Sequence, residues 1–286
     1  MREIEYEEWR VKMEQYISEQ FKVTFKPMAN SGAVVEGERY RISFLTSRLI
    51  RLEYEENGCV EDHASQAFWY REQEVPALKI KETEDIIEAS TEHLRLRYVK
   101  NQPFSGDTLS IELKYSCKMW RYGMQEIQNL QGTARTLDEV NGELQLEKGL
   151  MSRDGYVMID DSKSLVFNES GWLQPRTASG VDCYVFGYGT DCKGCLKDYA
   201  KVSGKTPLIP RFALGNWWSR YWRYSDEELL QLMTRFETEE IPLSVCIIDM
   251  DWHQVAIDPK YGSGWTGYSW NRDLFKNPTQ FLKQLH

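Results

Sequence analysis

Apolar and polar residues alternate with a period close to two in several short runs of the first half of the chain. This period puts apolar side chains on one face of a β-strand, so each run predicts a strand with one face in water. Polar turns separate the runs, and many short strands joined by turns are typical of a β-sandwich. The predicted strands span residues 39–45, 49–54, 86–89, 93–99 and 108–113.

The pattern changes after Pro210. Residues 212–218 predict a short buried strand. Residues 225–228 (Ser-Asp-Glu-Glu) form a capping box that opens an amphipathic helix, and Ile241-Pro242 ends it. Asn277-Pro278 opens another helix with one apolar face. The order of strand, helix, strand, loop and helix predicts the beginning of a βα-repeat.

The run from Leu243 to Asp249 is apolar and rich in β-branched residues, which predicts a strand buried on both faces. The strand leads into Asp249, Asp251, Trp252 and His253. A buried parallel strand that carries acidic and aromatic residues at its carboxyl end is how an α/β barrel presents an active site. This tip is therefore the main candidate site, and the period of two places Asp249 and Asp251 on one face.

The two patterns divide the chain into a predicted β-sandwich domain, residues 1–205, and a predicted barrel start, residues 206–286. A loop-rich region near 123–161 lies within the first domain. Such a long polar loop in a compact domain is usually functional or disordered. Apolar residues recur along this one, so we expect it to be ordered.

The composition sets limits on the function. A formal net charge of −9 without a basic stripe disfavours nucleic acid as a partner. Aromatic residues make up 13% of the chain, and their flat faces suit both the stacking of sugar rings and the filling of β-sheet cores. Two acidic clusters, Asp62/His63 and Asp160-Asp161, have no evident partners in the sequence and predict solvated turns.

The amino terminus lacks an apolar signal segment, and no run approaches the roughly 20 apolar residues that span a bilayer. The six cysteines are scattered, which favours reduced thiols in a cytoplasmic protein without a membrane partner. Cys192 and Cys195 form a single CxxC motif, which is weak support for a zinc or redox site.

Several ordered motifs resemble glycoside hydrolase family 31, the α-glucosidase and α-xylosidase family. The resemblance covers most of the chain after about residue 120. The first hundred residues match only in their alternation of short predicted strands and polar turns. The motifs are residues 129–138 and 152–155 upstream, and residues 204–215, 217–221, 249–253 and 264–278 in the predicted barrel.

The resemblance implies a galactose-mutarotase-type β-sandwich followed by a (β/α)8 barrel, and retaining hydrolysis of α-glucosides through a covalent glycosyl-enzyme intermediate. It implies no metal or organic cofactor and is compatible with an oligomeric full-length protein. Both catalytic aspartates of the family come from later barrel strands, so we expect them beyond His286 and none in this chain. The isolated 286 residues are therefore expected to be inactive.

By the same resemblance, Asp249 matches an aspartate that hydrogen-bonds the sugar in the −1 subsite. Asp251 either joins it or caps a loop and pairs with Arg220 or Arg223. Trp252 and His253 wall the subsite or seal the barrel rim. One of three aromatic residues is expected to form a sugar platform: Trp218, Tyr221 or Trp222. Arg153-Asp154 belongs to a loop that reaches the active site, or the two residues form an ion pair that braces a turn at Gly155.

Two other functions remain open on the sequence. The chain could be a non-catalytic carbohydrate-binding β-sandwich, although two βα units would leave apolar faces and sheet edges exposed. It could also be a family 36-like α-galactosidase, although the tip at Asp249 fits family 31 better. The sequence does not separate hydrolysis from transglycosylation.

Overall fold

The computed structural model describes residues 23–286 except 133, 135 and 266. The amino-terminal residues 1–9, whose sequence lacks an apolar signal segment, lie outside the described residues. The chain divides into two compact units between Thr206 and Pro207. In the described part of the chain, no helix has the length and apolar character that crossing a membrane requires.

The first unit contains two five-stranded antiparallel sheets and a short hairpin, which confirms the predicted β-sandwich. One sheet has the order β1-β2-β3-β12-β9 and the other is the meander β4-β5-β6-β7-β8; β10 and β11 form the hairpin. All five predicted strands are present. The strands are β1 Val34–Glu36, β2 Tyr40–Phe44, β3 Leu49–Tyr54, β4 Lys79–Glu82, β5 Ile86–Ser90, β6 Leu94–Val99, β7 Leu109–Leu113, β8 Lys118–Arg121, β9 Val157–Asp160, β10 Val166–Phe167, β11 Leu173–Gln174 and β12 Val181–Phe186.

Apolar residues of both sheets form the main core of the first unit. Its buried members include Ile42 and Leu52 from one sheet and Leu96, Ile111 and Trp120 from the other. Strand β6 alternates buried and exposed positions as the period of two predicts. Burial of this apolar area is the main term that stabilises such a fold.

Strand β3 departs from the prediction, because all six of its residues are buried, including Arg51 and Glu53. The polar face that the sequence assigns to water instead carries buried ion pairs. Arg51 donates from Nε and Nη2 to the two carboxylate oxygens of Asp182 on β12, at 2.9 and 2.8 Å. A guanidinium fork matches a carboxylate in this geometry, so each buried charge has a partner.

The ion pairs extend from Arg51 and Asp182 in both directions. Arg176 donates to Asp182 and to the buried Asp161, both at 2.8 Å. Arg41 donates to Glu53 at 2.7 Å and to Asp62 at 2.6 Å. We call these seven residues the ion ladder. The prediction of solvated turns is wrong for Asp161, which is 1% exposed, and Asp62 has the partner that the sequence did not show.

Helix α1, Cys192–Ser203, follows β12 and begins at the N-cap Asp191, whose carboxylate accepts from the backbone N–H of Gly194. Cys195, Tyr199 and Val202 of the helix pack with Tyr184 and Phe186. The helix thereby belongs to a second apolar cluster of the first unit.

The second unit contains a parallel pair of strands, β13 Trp217–Trp218 and β14 Val245–Cys246, with helices α2 Asp226–Thr238 and α3 Pro278–Leu285. Both predicted helix starts are confirmed. Ser225 and Glu228 form the reciprocal capping box, and the Asn277 side chain accepts from the backbone N–H of Gln280. Leu229 of α2 and Phe281 of α3 share one core with Phe275. These elements are the first βα units of a barrel.

Two strand predictions in this unit are wrong in extent. Residues 211–214 form a 3₁₀ helix in which Phe212 is 56% and Leu214 74% exposed, so only Trp217–Trp218 is a strand. The run from Leu243 to Asp249 is a strand only at Val245–Cys246 and is half-buried, not buried on both faces. Among the described residues β14 pairs with β13 alone, so its second edge is not covered.

Candidate functional site

The parallel strands β13 and β14 bring two segments of the candidate site to one edge. Trp217 pairs with Val245 and Trp218 with Cys246. The backbone N–H of Ile247 donates to the carbonyl of Trp218 at 2.9 Å, which extends the pairing by one residue. Since the carboxyl ends of parallel strands meet at the same edge, the segments after Trp218 and after Ile247 both begin there.

Asp249 follows β14 at this edge and is partly buried. In the part of the chain that the structure describes, its carboxylate has no hydrogen-bond or ion-pair partner. Buried polar groups in folded proteins nearly always have partners, so a half-buried carboxylate without one is free to accept hydrogen bonds from a ligand. Sugar hydroxyl groups are donors that suit it.

Asp251 is in a different environment. Its backbone has a φ of +54°, in the left-handed region, so the strand period that placed it on the same face as Asp249 does not apply. Its Oδ2 lies 3.4 Å from Nε of Arg223. The sequence left Arg220 and Arg223 as alternative partners of Asp251, and the structure pairs it with Arg223. Arg220 instead stacks over the ring of Trp222, 4.4 Å from the ring centroid.

Trp252 packs into the core of the second unit, with its ring 5.2 Å from that of Trp270 in an edge-to-face arrangement. The backbone N–H of Asn271 donates to the carbonyl of Trp252 at 2.8 Å, and His253 forms a bridge with Trp270. His253 is 6% exposed. The segment after the tip is thus held to residues 269–271, which favours a rim-sealing position for both rings.

The three candidate platform residues differ in exposure. The ring of Trp218 packs edge-to-face on Phe236 of α2 at 5.2 Å, so this indole belongs to the strand–helix packing. Its Nε1 is buried and has no partner among the described residues. Tyr221 is 74% and Trp222 50% exposed. Of the three, Tyr221 and Trp222 remain accessible to a sugar.

Cys246 is the one thiol within the two strands, and it packs into the core of the second unit. Burial raises the pKa of this thiol above its ordinary value. Within the described ranges no side chain forms a hydrogen bond with this thiol, so no base is placed to activate it toward a sugar. Among the described residues no three His, Cys, Asp or Glu side chains are grouped as a metal ion requires.

The Arg153-Asp154 segment braces the long loop of the first unit. Asp154 Oδ2 accepts from the backbone N–H of Gln128 at 3.0 Å and from the Ser152 hydroxyl at 3.2 Å. Asn129 makes a second clamp across the loop, since its side chain bonds both the N–H and the carbonyl of Gly149. The sequence predicted a brace at this turn, but it expected Arg153 rather than Gln128 as the partner of Asp154.

The comparisons with known proteins agree with this geometry. Residues 206–286 match the family model described as the TIM-barrel domain of glycosyl hydrolases family 31. An α-xylosidase of Saccharolobus solfataricus is 28% identical over 159 residues, which are 54% of this chain and 20% of that protein. Residues 206–286 belong to glycoside hydrolase family 31. An α-glucosidase 2 of Bacillus thermoamyloliquefaciens is 30% identical over 105 residues, 37% of this chain and 12% of that protein.

A solved structure extends the likeness in fold across both units of the chain. A family 31 dextranase of Flavobacterium johnsoniae, complexed with isomaltotriose, superposes with a TM-score of 0.58 at 17% identity. It covers 92% of this chain and 37% of the dextranase chain. At this identity the likeness shows the shared fold. The chain spans a fifth or less of the length of the two curated relatives above.

Proposed function

We propose that this family 31 chain supplies the sugar-binding carboxylate of the −1 subsite of a retaining α-glycosidase, and that Asp249 is this carboxylate. The observation that carries the proposal is the half-buried Asp249 at the strand tip, which has no partner among the described residues. A carboxylate in this position accepts charge-assisted hydrogen bonds from sugar hydroxyls. Asp251, paired with Arg223, supports the loop beside it.

Asp249 would act by orienting the sugar ring rather than by breaking the glycosidic bond. Hydrogen bonds to ring hydroxyls that strengthen as the ring distorts lower the barrier more than they lower the ground state. A retaining enzyme needs two further carboxyl groups about 5–5.5 Å apart. The family resemblance assigns them to later barrel strands, at positions that none of these 286 residues match. The 286 residues alone are therefore proposed to bind sugar without hydrolysing it.

The proposed substrate of the whole protein is an α-linked glucoside oligosaccharide. A second candidate, an α-xyloside, is supported by the relatives that are named α-xylosidases, from Saccharolobus solfataricus and Lactiplantibacillus pentosus. The two sugars differ by the hydroxymethyl group at C5. The ratio of kcat/KM for aryl α-glucoside and aryl α-xyloside, measured on the whole protein, separates them.

The test of the site is Asp249→Asn in the whole protein, with Asp273→Asn as the matched control. Asn keeps the size of Asp but removes the charge, and a hydrogen bond to a charged group contributes about 1.5–3 kcal/mol against about 0.5–1.5 kcal/mol for a neutral one. We expect kcat/KM of Asp249→Asn to fall about 100-fold, or about 2.7 kcal/mol. Asp273 is exposed and its variant should stay within about twofold of wild type, because surface substitutions have small effects.

A near-wild-type kcat/KM for Asp249→Asn, with the fold intact, would reduce Asp249 to a structural role. The 286-residue chain serves as the second control, and it should release no phenol from an aryl α-glucoside. Turnover by this chain would show that a catalytic pair lies within it.

A further inference from the structure

The CxxC motif of the first unit lies at the start of α1 with its two thiols in different environments. Cys192 is the first residue of the helix and is exposed, while Cys195 is 1% exposed. Both are free thiols in the structure, and both line one small cleft together with Leu150 and Met151. An exposed first cysteine with a buried second one three residues later is the arrangement that dithiol–disulfide exchange uses.

Cys195 connects α1 to the return of the long loop of the first unit. Its thiol donates to the carbonyl of Leu150, with Sγ 3.6 Å from the oxygen. On the other side of this segment, the backbone N–H of Leu130 donates to the carbonyl of Met151 at 2.9 Å, and Asn129 holds Gly149. The base of the loop is therefore clamped between Asn129 and Cys195.

We propose that Cys192 and Cys195 form a reversible disulfide whose formation releases the base of the 129–149 loop. Residues three apart on a helix have Cβ atoms about 5–6 Å apart. A disulfide requires a Cβ–Cβ separation of about 3.5–4.5 Å. The first turn of α1 must tighten to close the bond, and Cys195 then loses the hydrogen with which it bonds Leu150.

The reaction needs a low-molecular-weight disulfide as oxidant. The Cys192 thiolate attacks one sulfur of this disulfide and expels the first thiol. The Cys195 sulfur then attacks the mixed disulfide at the Cys192 sulfur and expels the second thiol. Two cysteine thiols are oxidised by two electrons, the small disulfide is reduced by two, and the two cysteine protons leave on the released thiols.

The environment of the two thiols sets their order of reaction. Burial, with Cys192 and the carboxylates of Asp198 and Asp191 nearby, raises the pKa of the Cys195 thiol to about 12. Cys195 therefore stays protonated at neutral pH and keeps its hydrogen bond to Leu150 until Cys192 has reacted. The exposed Cys192 is the thiol that an oxidant reaches first.

The test uses the full chain, treated with oxidised glutathione and then with a reducing agent. Peptide mapping by mass spectrometry locates the crosslink, and limited trypsin digestion reports on the loop. The peptide bond after Lys148 carries the Gly149 N–H, which donates to Asn129, so cleavage there reports on this clamp. We expect a Cys192–Cys195 crosslink, a severalfold faster cleavage after Lys148, and return of both to the initial state on reduction.

Cys192→Ser cannot form the crosslink, and its cleavage rate should not respond to the oxidant. Cys59→Ser removes another exposed cysteine and should behave as wild type, which controls for thiol loss. The proposal is overturned if Cys192 remains unmodified or stops at the glutathione adduct. It is equally overturned if the crosslink forms and cleavage after Lys148 stays within about twofold of the reduced protein.

Discussion

At the scale of single residues, two aspartates that follow β14 lie two positions apart in the sequence but in different environments. Asp249 has no partner among the described residues, whereas Asp251 pairs with Arg223 and has a left-handed backbone. Aspartate tolerates this conformation better than residues without a short polar side chain. The sequence placed the candidate site at this tip. It could not predict the backbone angle of Asp251, because that angle depends on the turn that follows.

The conformation of Asp251 predicts how substitutions there affect stability. Asp251→Asn should stay within about 1 kcal/mol of wild type, since Asn tolerates the left-handed region and the partly exposed ion pair with Arg223 contributes about 0–1 kcal/mol. Asp251→Ala should lower the free energy of unfolding by about 1–2 kcal/mol through backbone strain. Urea denaturation measures both, and equal losses in the two variants would mean that the charge matters more than the backbone.

At the scale of elements, the sequence predicted the features whose signal is local. The capping box at Ser225, the N-cap at Asn277 and the alternating strands are set by residues within one turn or one strand, and all are present. The ion ladder was not predictable in this way. Arg51 and Asp182 are far apart in sequence, and an alternating strand looks the same whether its polar face meets water or buried charges of opposite sign.

The ladder makes the stability of the first unit dependent on Asp182 and on pH. Burial alone would raise the pKa of the Asp182 carboxyl, but the guanidinium groups of Arg51, Arg71 and Arg176 outweigh burial and hold this pKa below its ordinary value. A group whose pKa is depressed by folding stabilises the fold above its unfolded pKa of about 3.9 and loses that contribution as the pH falls.

Asp182→Asn should therefore lower the free energy of unfolding by about 3–5 kcal/mol at pH 7, because it leaves buried guanidinium charge without its partner. The difference in the free energy of unfolding between Asp182→Asn and wild type should become smaller below about pH 4, where the carboxyl of the unfolded wild-type chain is protonated. Glu112→Gln breaks the more exposed pair with Arg95 and should cost about 0–1 kcal/mol at pH 7. Denaturant titrations at pH 7 and below about pH 4 measure the free energy of unfolding of each variant. If Asp182→Asn loses as much stability below about pH 4 as at pH 7, the electrostatic explanation is contradicted.

At the scale of the whole molecule, the sequence motifs identified the family, and the likeness to solved family structures covers both units. The sandwich and the βα-repeat could be predicted because period and cap signals agree along the chain. The extent of β14 could not, since a strand's burial is decided by its neighbours in space rather than by its own residues. The role of Asp249 as the sugar ligand rests on its place in the complete fold and remains the central claim.

The most direct measurement of that claim is a crystal structure of the whole protein with glucose or an uncleaved α-glucoside in the site. We expect a sugar hydroxyl about 2.5–2.7 Å from an oxygen of Asp249, the distance of a charge-assisted O–H···O bond, with Asp251 still paired to Arg223. A bound sugar whose hydroxyls all lie beyond hydrogen-bond distance of Asp249, while other residues hold the ring, would contradict the assignment.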